Sequence, residues 1–192
     1  MKTLIRKSVL VALMLGALAS YATETTLVDK KETEAKVELL NVKKGQRLYI
    51  KNSEGDILYQ EKIQQNGTFV KNFDFSALED GNYILEVNKD FEIEVSPFSV
   101  NSGKATFNKK EEKTIFKPVV RTNNNKVMVS KYDFEAAPLH VTIYYEGEVI
   151  FKETVKGGNV LQRVYKLRKE IKGNYMVVMK ANDRTYTNEF SL

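Results

Sequence analysis

The residue types that carry out acid–base and metal chemistry are sparse in this sequence. His140 is the one histidine, it stands between Pro138-Leu139 and an alternating apolar run, and the chain has no cysteine. A Ser-His-Asp triad needs a base held against a nucleophile and an orienting acid, and no such set stands near His140 in the chain. We therefore interpret His140 as an edge or loop residue, and we expect a protein that is not an enzyme and takes no metal and no cofactor.

The acidic residues are numerous, but their spacing fits strands and turns better than catalysis. Asp90, Glu92 and Glu94 share one face of an alternating run, which is typical of the wet side of an antiparallel strand. The stretch "NSEGD" at residues 52–56 lacks the bidentate glutamate of a calcium loop, so we predict a hairpin turn. Glu61 and Glu153 are in phase with apolar neighbours, which leaves open a place at a sheet rim or a pairing with a buried cation.

A basic stretch in the C-terminal half is the strongest candidate for ligand binding. It consists of Arg163, Lys166, Arg168, Lys169 and Lys172. Few aromatic rings are interleaved with these cations, so nucleic acid is not expected, whereas an anionic glycan or a membrane surface would suit them. A solvated strand and loop surface is the alternative. Tyr144 and Tyr145 point to opposite faces, so one of them could stack against a sugar, although the chain has no tryptophan.

The first residues predict the compartment. Three cations precede an apolar run at residues 9–19 that is too short to span a bilayer, and small residues follow, so we predict a secretory signal peptide over residues 1–22. We expect a periplasmic or cell-surface protein that is not a lipoprotein, because no cysteine is present to be acylated. Without the signal peptide, 27 basic residues stand against 25 acidic ones, a net charge of +2. No further segment predicts a transmembrane helix.

Beyond a polar lead-in at residues 23–35, the hydrophobic period is two, which predicts an all-β chain. In the first half the alternating runs predict strands near residues 36–42, 46–52, 56–63, 68–75, 82–88 and 91–100.

The chain repeats itself at an offset of 92 positions, without a gap from Glu54 to Val100. Identical pairs include Gly55/Gly147, Glu61/Glu153 and the Gly-Asn-Tyr triplets at 81–83 and 173–175. Upstream the match needs small gaps, with "AKVELLNV" opposite "NKVMVSKY". We therefore predict two tandem Ig-like antiparallel β-sandwich domains over residues 36–118 and 119–192. Residues 104–117 are inserted in the first copy and resemble a hairpin with a "KKEE" tip.

The repeated triplets predict a tyrosine corner in each copy. In Greek-key sandwiches a tyrosine near the start of a strand folds its ring inward, and its hydroxyl bonds back to the preceding backbone. Leu78, Gly81 and Tyr83 fit this pattern, with a positive φ expected at the glycine. Gly173 and Tyr175 fit it in the second copy, where Glu170 stands at the anchor position, so we expect Ile171 to take over and the corner to be shifted or looser.

The longer stretch "DFSALEDGNYILEV", together with the hairpin "LYIKNSEGDILYQE", resembles the signature of C-terminal sorting domains of type IX secretion systems. The matching positions are Asn52, Gly55, Asp74, Ser76, Leu78, Gly81 and Tyr83. The resemblance implies a small β-sandwich and a Gram-negative secretory background. The better copy is internal here, and the closing Lys-bearing strand of such domains is missing.

These observations predict an exported, non-enzymatic structural or protein-interaction module. Its partner would be a protein or a glycan at the cell surface, and its oligomeric state is not predicted. A carbohydrate- or surface-ligand-binding protein is the alternative, and a secretion or sorting accessory module is a second one. We expect the function to lie where the copies differ, in residues 163–172 and 104–117.

Overall fold

A computed structural model describes residues 27–30 and 34–192, so the predicted signal peptide lies outside the described residues. The first half contains β1 (Leu27–Lys30), β2 (Glu34–Val42), β3 (Arg47–Lys51), β4 (Ile57–Lys62), β5 (Gly67–Asp74), β6 (Gly81–Asn88), β7 (Glu92–Asn101), β8 (Lys104–Phe107) and β9 (Lys113–Phe116). The second half contains β10 (Val119–Asn123), β11 (Lys126–Tyr132), β12 (Leu139–Tyr145), β13 (Glu148–Val155), β14 (Val160–Lys166), β15 (Asn174–Ala181) and β16 (Arg184–Ser191).

Two antiparallel sheets form a sandwich in the first half. One sheet has the order β1-β2-β5, and the other has the order β4-β3-β6-β7, with β8 and β9 beyond β7. Alternate residues of each strand face the interior, so Val37 and Leu39 of the first sheet join Leu48 and Leu85 of the second in one buried core. β4 pairs with β3, as the fourth strand does in variable-type Ig domains, and does not join the β1-β2-β5 sheet.

The second half repeats this topology. Its sheets have the orders β10-β11-β14 and β13-β12-β15-β16, which correspond strand for strand to the first sandwich. The registers correspond as well, because Leu48 opposes Val87 in the first copy and Val141 opposes Met179 in the second. The fold is thus all-β and consists of two tandem β-sandwiches, as the repeat predicted. The exact domain bounds at residues 118 and 119 stay a prediction.

The strand bounds predicted for the first copy are confirmed to within two residues at each end. The small gap expected upstream is confirmed in β3 and β12, where Leu48 and Val141 are equivalent at an offset of 93, but the alignment of "AKVELLNV" with "NKVMVSKY" was wrong. Ala35 opposes Phe73 and Val127 opposes Tyr165, so the offset of 92 continues through β2 and β11 without a gap. The polar lead-in is also shorter than predicted, because Leu27–Lys30 pair with the outer edge of β2, whose backbone groups would otherwise lack partners.

The predicted hairpin at residues 104–117 was wrong. Its two strands do not pair with each other: β8 pairs with residues 98–101 of β7, and β9 pairs with residues 92–95 of the same strand. A 3₁₀ turn at Lys109–Glu111 separates them. Because β7 is ten residues long, it can template both segments, and together they form one interrupted strand that covers its free edge.

The same β-bulge interrupts the edge hairpin of both sandwiches. It falls between Ile50 and Lys51 in the first copy and between Ile143 and Tyr144 in the second. The extra residue shifts the side-chain phase, so Val149 opposes Tyr144 while Phe151 opposes the core residue Ile143. An unbroken period of two would place Val149 and Phe151 on one face, and the bulge prevents this.

The acidic face predicted for β7 is wet only in part. Asp90 is exposed and Glu92 is partly exposed, whereas Glu94 and Ser96 are buried, and so are Ile93 and Val95 on the opposite face. Lys89 forms an ion pair with Glu94, which compensates part of the cost of burying its charge. The alternation rule failed here because it assumes that one face of the sheet meets water.

An ion cluster joins the two sandwiches on the face of the β6–β7 pair that carries Val95 and points away from the first core. Glu86 of β6, which is 4% exposed, opposes Val95 and accepts hydrogen bonds from Lys51 (2.6 Å) and from Arg184 of β16. Burial alone would raise the pKa of Glu86, but the hydrogen bonds from Arg184 and Lys51 outweigh it and hold the pKa below its ordinary value. A second link, from Lys113 to Glu135, spans 2.8 Å.

The second core contains a buried ion pair that the first core lacks. Lys131 and Asp133 lie 2.9 Å apart and both are buried. At an offset of 92, their counterparts are Leu39, which is fully buried in the first core, and Asn41. One carboxylate oxygen of Asp133 has no hydrogen-bond partner among the described residues. The same two positions of the repeat thus hold an apolar and an amide side chain in the first copy and an ion pair in the second.

Candidate binding surface

The two repeated tyrosines occupy equivalent places. Tyr83 is buried, and its hydroxyl donates to the carbonyl of Glu79 at 2.8 Å. Tyr175 is buried, and its hydroxyl donates to the carbonyl of Ile171 at 3.1 Å. Each bond reaches four residues back across the turn, which ties the start of a central strand to the preceding loop.

The glycines of the two corners differ. Gly173 has a φ of 148°, in the region that favours glycine, whereas Gly81 does not have the positive φ expected for it. A Cβ added at Gly173 would lie 2.5 Å from Glu146 Oε1 and 2.8 Å from the ring of Tyr145. A Cβ at Gly81 would meet nothing closer than 3.9 Å. The second corner is therefore the more crowded one, not simply a looser copy.

A cleft of about 570 Å³ opens into the side of the second sandwich, between the edge strands β13 and β14. Its volume lies within the range of roughly 300–1,000 Å³ that is usual for ligand sites. The lining is mostly apolar and aromatic, and consists of Ile143, Tyr145, Ile150, Phe151, Val164, Tyr165, Lys166, Leu167, Arg168, Ile171 and Tyr175. We call this space the β13/β14 cleft.

Residue replacements between the copies account for the cleft. In the first sandwich the equivalent space contains Phe75, whose ring lies 5.9 Å from that of Phe73 and 5.2 Å from that of Phe98. At an offset of 92, the counterpart of Phe75 is the smaller Leu167. Leu78, which packs against the first core, is replaced by the exposed Glu170. Losing one ring and one aliphatic anchor leaves the second sandwich open at this corner.

Part of the predicted basic surface borders the cleft. Lys166 and Arg168 line it, and Lys169 and Lys172 are exposed on the same loop. None of the described lining residues is acidic, so the cations give the cleft a positive rim. The electrostatics therefore favour an occupant with negative charge at that end.

Arg163 has a different role from the other predicted cations. Its Nε donates to Glu153 at 2.8 Å, and the hydroxyl of Tyr165 donates to the same carboxylate at 3.0 Å. Burial, followed by the hydrogen bond to Glu153, raises the pKa of Tyr165. This cluster links the edge strands β13 and β14 below the cleft. Arg163 is exposed and its charge is paired with Glu153, and its assignment to a ligand-binding surface stays a prediction.

The first sandwich has the same link. Glu61 accepts from Lys71 at 2.6 Å, and Lys71 and Arg163 are equivalent at an offset of 92. Burial would raise the pKa of Glu61, but hydrogen bonds from Lys71 and Tyr59 outweigh it and lower the pKa. Of the two alternatives for Glu61 and Glu153, the sheet rim is confirmed: each glutamate pairs there with a partly exposed cation, not with a buried one.

Exposed apolar side chains surround the cleft. Ile150 on β13 is 49% exposed and Val164 on β14 is 61% exposed. At the equivalent positions of the first copy stand Leu58, which is 48% exposed, and the polar Asn72. Sequence reasoning missed this surface. The replacement of Asn72 by Val164 is visible in the sequence, but it indicates a binding surface only when Val164 is known to lie on an edge strand beside β13.

The remaining candidates do not converge on a site. His140 is exposed, and its Nδ1 lies 3.0 Å from the hydroxyl of Thr154 on the neighbouring strand. Tyr144 is half-buried, and Tyr145 lines the cleft with its hydroxyl donating to the carbonyl of Lys172 at 3.0 Å. Within residues 27–30 and 34–192, no group of three or more His, Cys, Asp or Glu side chains is arranged to hold a metal ion.

The residues that resemble a sorting-domain signature shape local structure. Asn52 accepts from the backbone N–H of Asp56 at 2.7 Å and confirms the predicted hairpin turn. Asp74 accepts from the N–H of Ser76 at 2.9 Å, at the turn that leads to the tyrosine corner. These contacts explain the motif as a fold signature.

Comparisons with known proteins give no family. No protein-family model matches the chain, and no curated protein matches it. The specific resemblance to type IX sorting domains thus gains no support. Across the described residues, no helix is long and apolar enough to cross a membrane.

Several solved structures match at low similarity. The chain is similar to a structure titled "Biofilm associated protein - BSP domain", with 15% identity and a TM-score of 0.28 over 88% of this chain, which spans 27% of that one. It is similar to a marsupial T cell receptor, with 10% identity and a TM-score of 0.32 over 88% of this chain and 62% of that one. It is also similar to extracellular domains 3-5 of Drosophila OTK, with 9% identity and a TM-score of 0.22 over 83% of this chain and 90% of that one.

Proposed function

We propose that this protein is an exported, non-enzymatic interaction module whose second sandwich binds the partner. The β13/β14 cleft is the observation that carries this proposal. It combines an apolar interior, a positive rim and exposed apolar side chains on both flanking strands. Exposed apolar surface next to a concave site is typical of an interaction surface. Export rests on the predicted signal peptide over residues 1–22.

The chemistry of the cleft favours binding over catalysis. Among its described lining residues there is no histidine, carboxylate, serine or threonine. Its tyrosines are engaged in the fold, since Tyr175 bonds to the backbone of the preceding turn and Tyr165 bonds to Glu153. An acid–base reaction needs a group whose protonation can change next to the substrate, and the cleft offers cations and apolar atoms instead.

The first sandwich supports the second in this proposal. At its equivalent corner Phe75 and Leu78 pack with the core and leave a smaller, more polar pocket of about 390 Å³. The ion cluster around Glu86 joins the first sandwich to β16. We assign the two tyrosine corners a structural role, because each hydroxyl is used in a bond to its own turn. The cleft is the difference between the copies on which we base the binding role.

Site-specific photo-crosslinking tests the proposal with an internal control. A benzoylphenylalanine is placed at Ile150 in one variant and at Leu58 in another, and both are expressed in the cells that make the protein. The two positions are equivalent in the repeat and nearly equally exposed. We expect a discrete adduct from position 150, none from position 58, and loss of the adduct when Leu167→Phe fills the cleft. Equal labelling at both positions, or none at 150, would refute the proposal.

A further inference from the structure

The C-terminal end of β14 borders the cleft. Val164 to Lys166 of β14 line it, followed by Leu167 and Arg168 of the next turn, whereas β13 contributes Ile150 and Phe151. Of the described strands, β14 pairs with β11 and with no other. A continuous stretch of main chain along a groove is the feature that an extended polypeptide can recognise by strand addition.

The register shows which backbone groups face the free edge. The N–H of Leu167 donates to the carbonyl of Asn125 at 2.8 Å, and Lys166 opposes Lys126 in an uninterrupted register. In an antiparallel ladder, residues that exchange hydrogen bonds with a neighbour alternate with residues whose groups point the other way. The N–H and C=O groups of Val164 and Lys166 therefore point away from β11.

The other edge of the cleft is less suited to pairing. A bulge interrupts β13 between the residues that oppose Ile143 and Tyr144. A bulge discourages strand addition, because it breaks the regular spacing of backbone donors and acceptors. The register between β11 and β14 has no such shift. Of the two edges, β14 is the one that an added strand can follow.

The charge at the end of β14 selects the occupant. Lys166 and Arg168 stand where the first copy has Asp74 and Ser76. The first copy thus carries an anion at the position where the second carries a cation. A carboxylate in an added strand would be attracted to the second sandwich and repelled by the first.

We infer that the cleft binds an extended, acidic segment of a partner protein by strand addition to the free edge of β14. The inference rests on the proposed function and names its partner class. The added strand lengthens the β10-β11-β14 sheet. Its alternate apolar side chains enter the 570 Å³ space against Ile150 and Phe151, and its carboxylates meet Lys166 and Arg168.

A synthetic peptide tests this inference on the full mature chain. The probe is a fluorescein-labelled nonapeptide with Val at alternate positions, Thr between them and Asp-Asp at one end. We expect saturable binding that weakens with salt and falls about tenfold in Lys166→Glu/Arg168→Glu. Lys109→Glu/Lys110→Glu changes the net charge equally on the distant 3₁₀ turn and should leave binding unchanged. A peptide ending in Lys-Lys should not bind.

Two further measurements separate strand addition from side-chain contact alone. Peptides N-methylated at one set of alternate residues should lose binding, while those methylated at the other set should keep it. In hydrogen exchange, the amides of Val164 and Lys166 should become protected when the peptide binds, whereas that of Tyr165 is already protected by β11. Equal effects of both methylation sets, or no new protection, would overturn the inference.

The outcomes distinguish this inference from the function on which it rests. If position 150 gives a specific adduct but no acidic peptide binds, the interaction module stands and strand addition is wrong. Dodecanoate serves as a competing probe. If it binds in a manner that needs Lys166 and Arg168 while the peptides do not, the cleft is a site for an anionic amphiphile, and the inference is overturned.

Discussion

Replacing Glu86 with valine tests how firmly the two sandwiches are joined. Valine is the residue of the second copy at the equivalent position, Val178, so the sheet accommodates it. Removing one member of a buried ion pair costs about 3–5 kcal/mol, because its partners lose their counter-charge. Arg184 and Lys51 keep 26% and 19% of their side chains exposed and can regain some hydration. We therefore expect a loss of about 2–3 kcal/mol in the free energy of unfolding at pH 7.

Acid should reduce this loss. The folded-state pKa of Glu86 is lowered by its hydrogen bonds with Arg184 and Lys51, which outweigh burial. A carboxyl group with a depressed pKa contributes stability that is fully present above its unfolded pKa of about 4.3. That stability disappears as the pH falls through the lower folded pKa. The difference between Glu86→Val and wild type should therefore be largest near neutral pH and shrink in strongly acidic buffer.

Thermal and urea unfolding of both proteins at several pH values measures these quantities. For a chain of this size, a loss of 2–3 kcal/mol corresponds to a fall in Tm of about 4–12 °C. Glu61→Val is the matched control: Glu61 also pairs with a lysine, but at a partly exposed rim, where we expect about 1 kcal/mol or less. A cost for Glu86→Val no larger than that of the control, or one that does not change in acid, would show that the cluster does not join the sandwiches.

Three further experiments test the two tyrosine corners and the buried ion pair. Gly173→Ala should cost at least about 2 kcal/mol because of its positive φ and close neighbours, whereas Gly81→Ala should cost under about 1 kcal/mol; equal costs in urea titrations would contradict this. Tyr83→Phe should lose about 1 kcal/mol with its hydroxyl bond, and an unchanged Tm would show that the bond contributes nothing. Lys131→Leu alone should cost about 3–5 kcal/mol, since it isolates Asp133, and adding Asp133→Asn should restore most of that loss. Additive costs in calorimetry would contradict this coupling.

Much of the fold followed from the sequence because strand alternation and turn residues act locally. The six strands of the first copy were placed by period-two runs bounded by Gly and Asn. Features that depend on distant partners were not predictable. The strand at Leu27–Lys30 forms on the edge of β2, and β8 and β9 form on β7, because an existing edge supplies their hydrogen bonds. Glu94 is buried because its strand is covered on both faces.

The site was predictable only in part. The basic stretch at residues 163–172 does reach the cleft, but through Lys166 and Arg168, while Arg163 turns to Glu153. The apolar half of the site was missed, because a cavity is produced by absent atoms. Leu167 in place of Phe75 is an ordinary apolar replacement in the sequence. The replacement leaves a cleft only because Leu167 lies between the edges of two sheets, where the ring of Phe75 would take up more of the space.

Strand addition, as proposed, has a consequence for valency: each chain would bind one acidic segment at the edge of β14. Occupancy would then follow the affinity of one site, without the gain that two linked sites would give. The first sandwich has Asp74 at the corresponding edge, which would repel the same ligand. The second sandwich would be the receptor, and the first would be its scaffold.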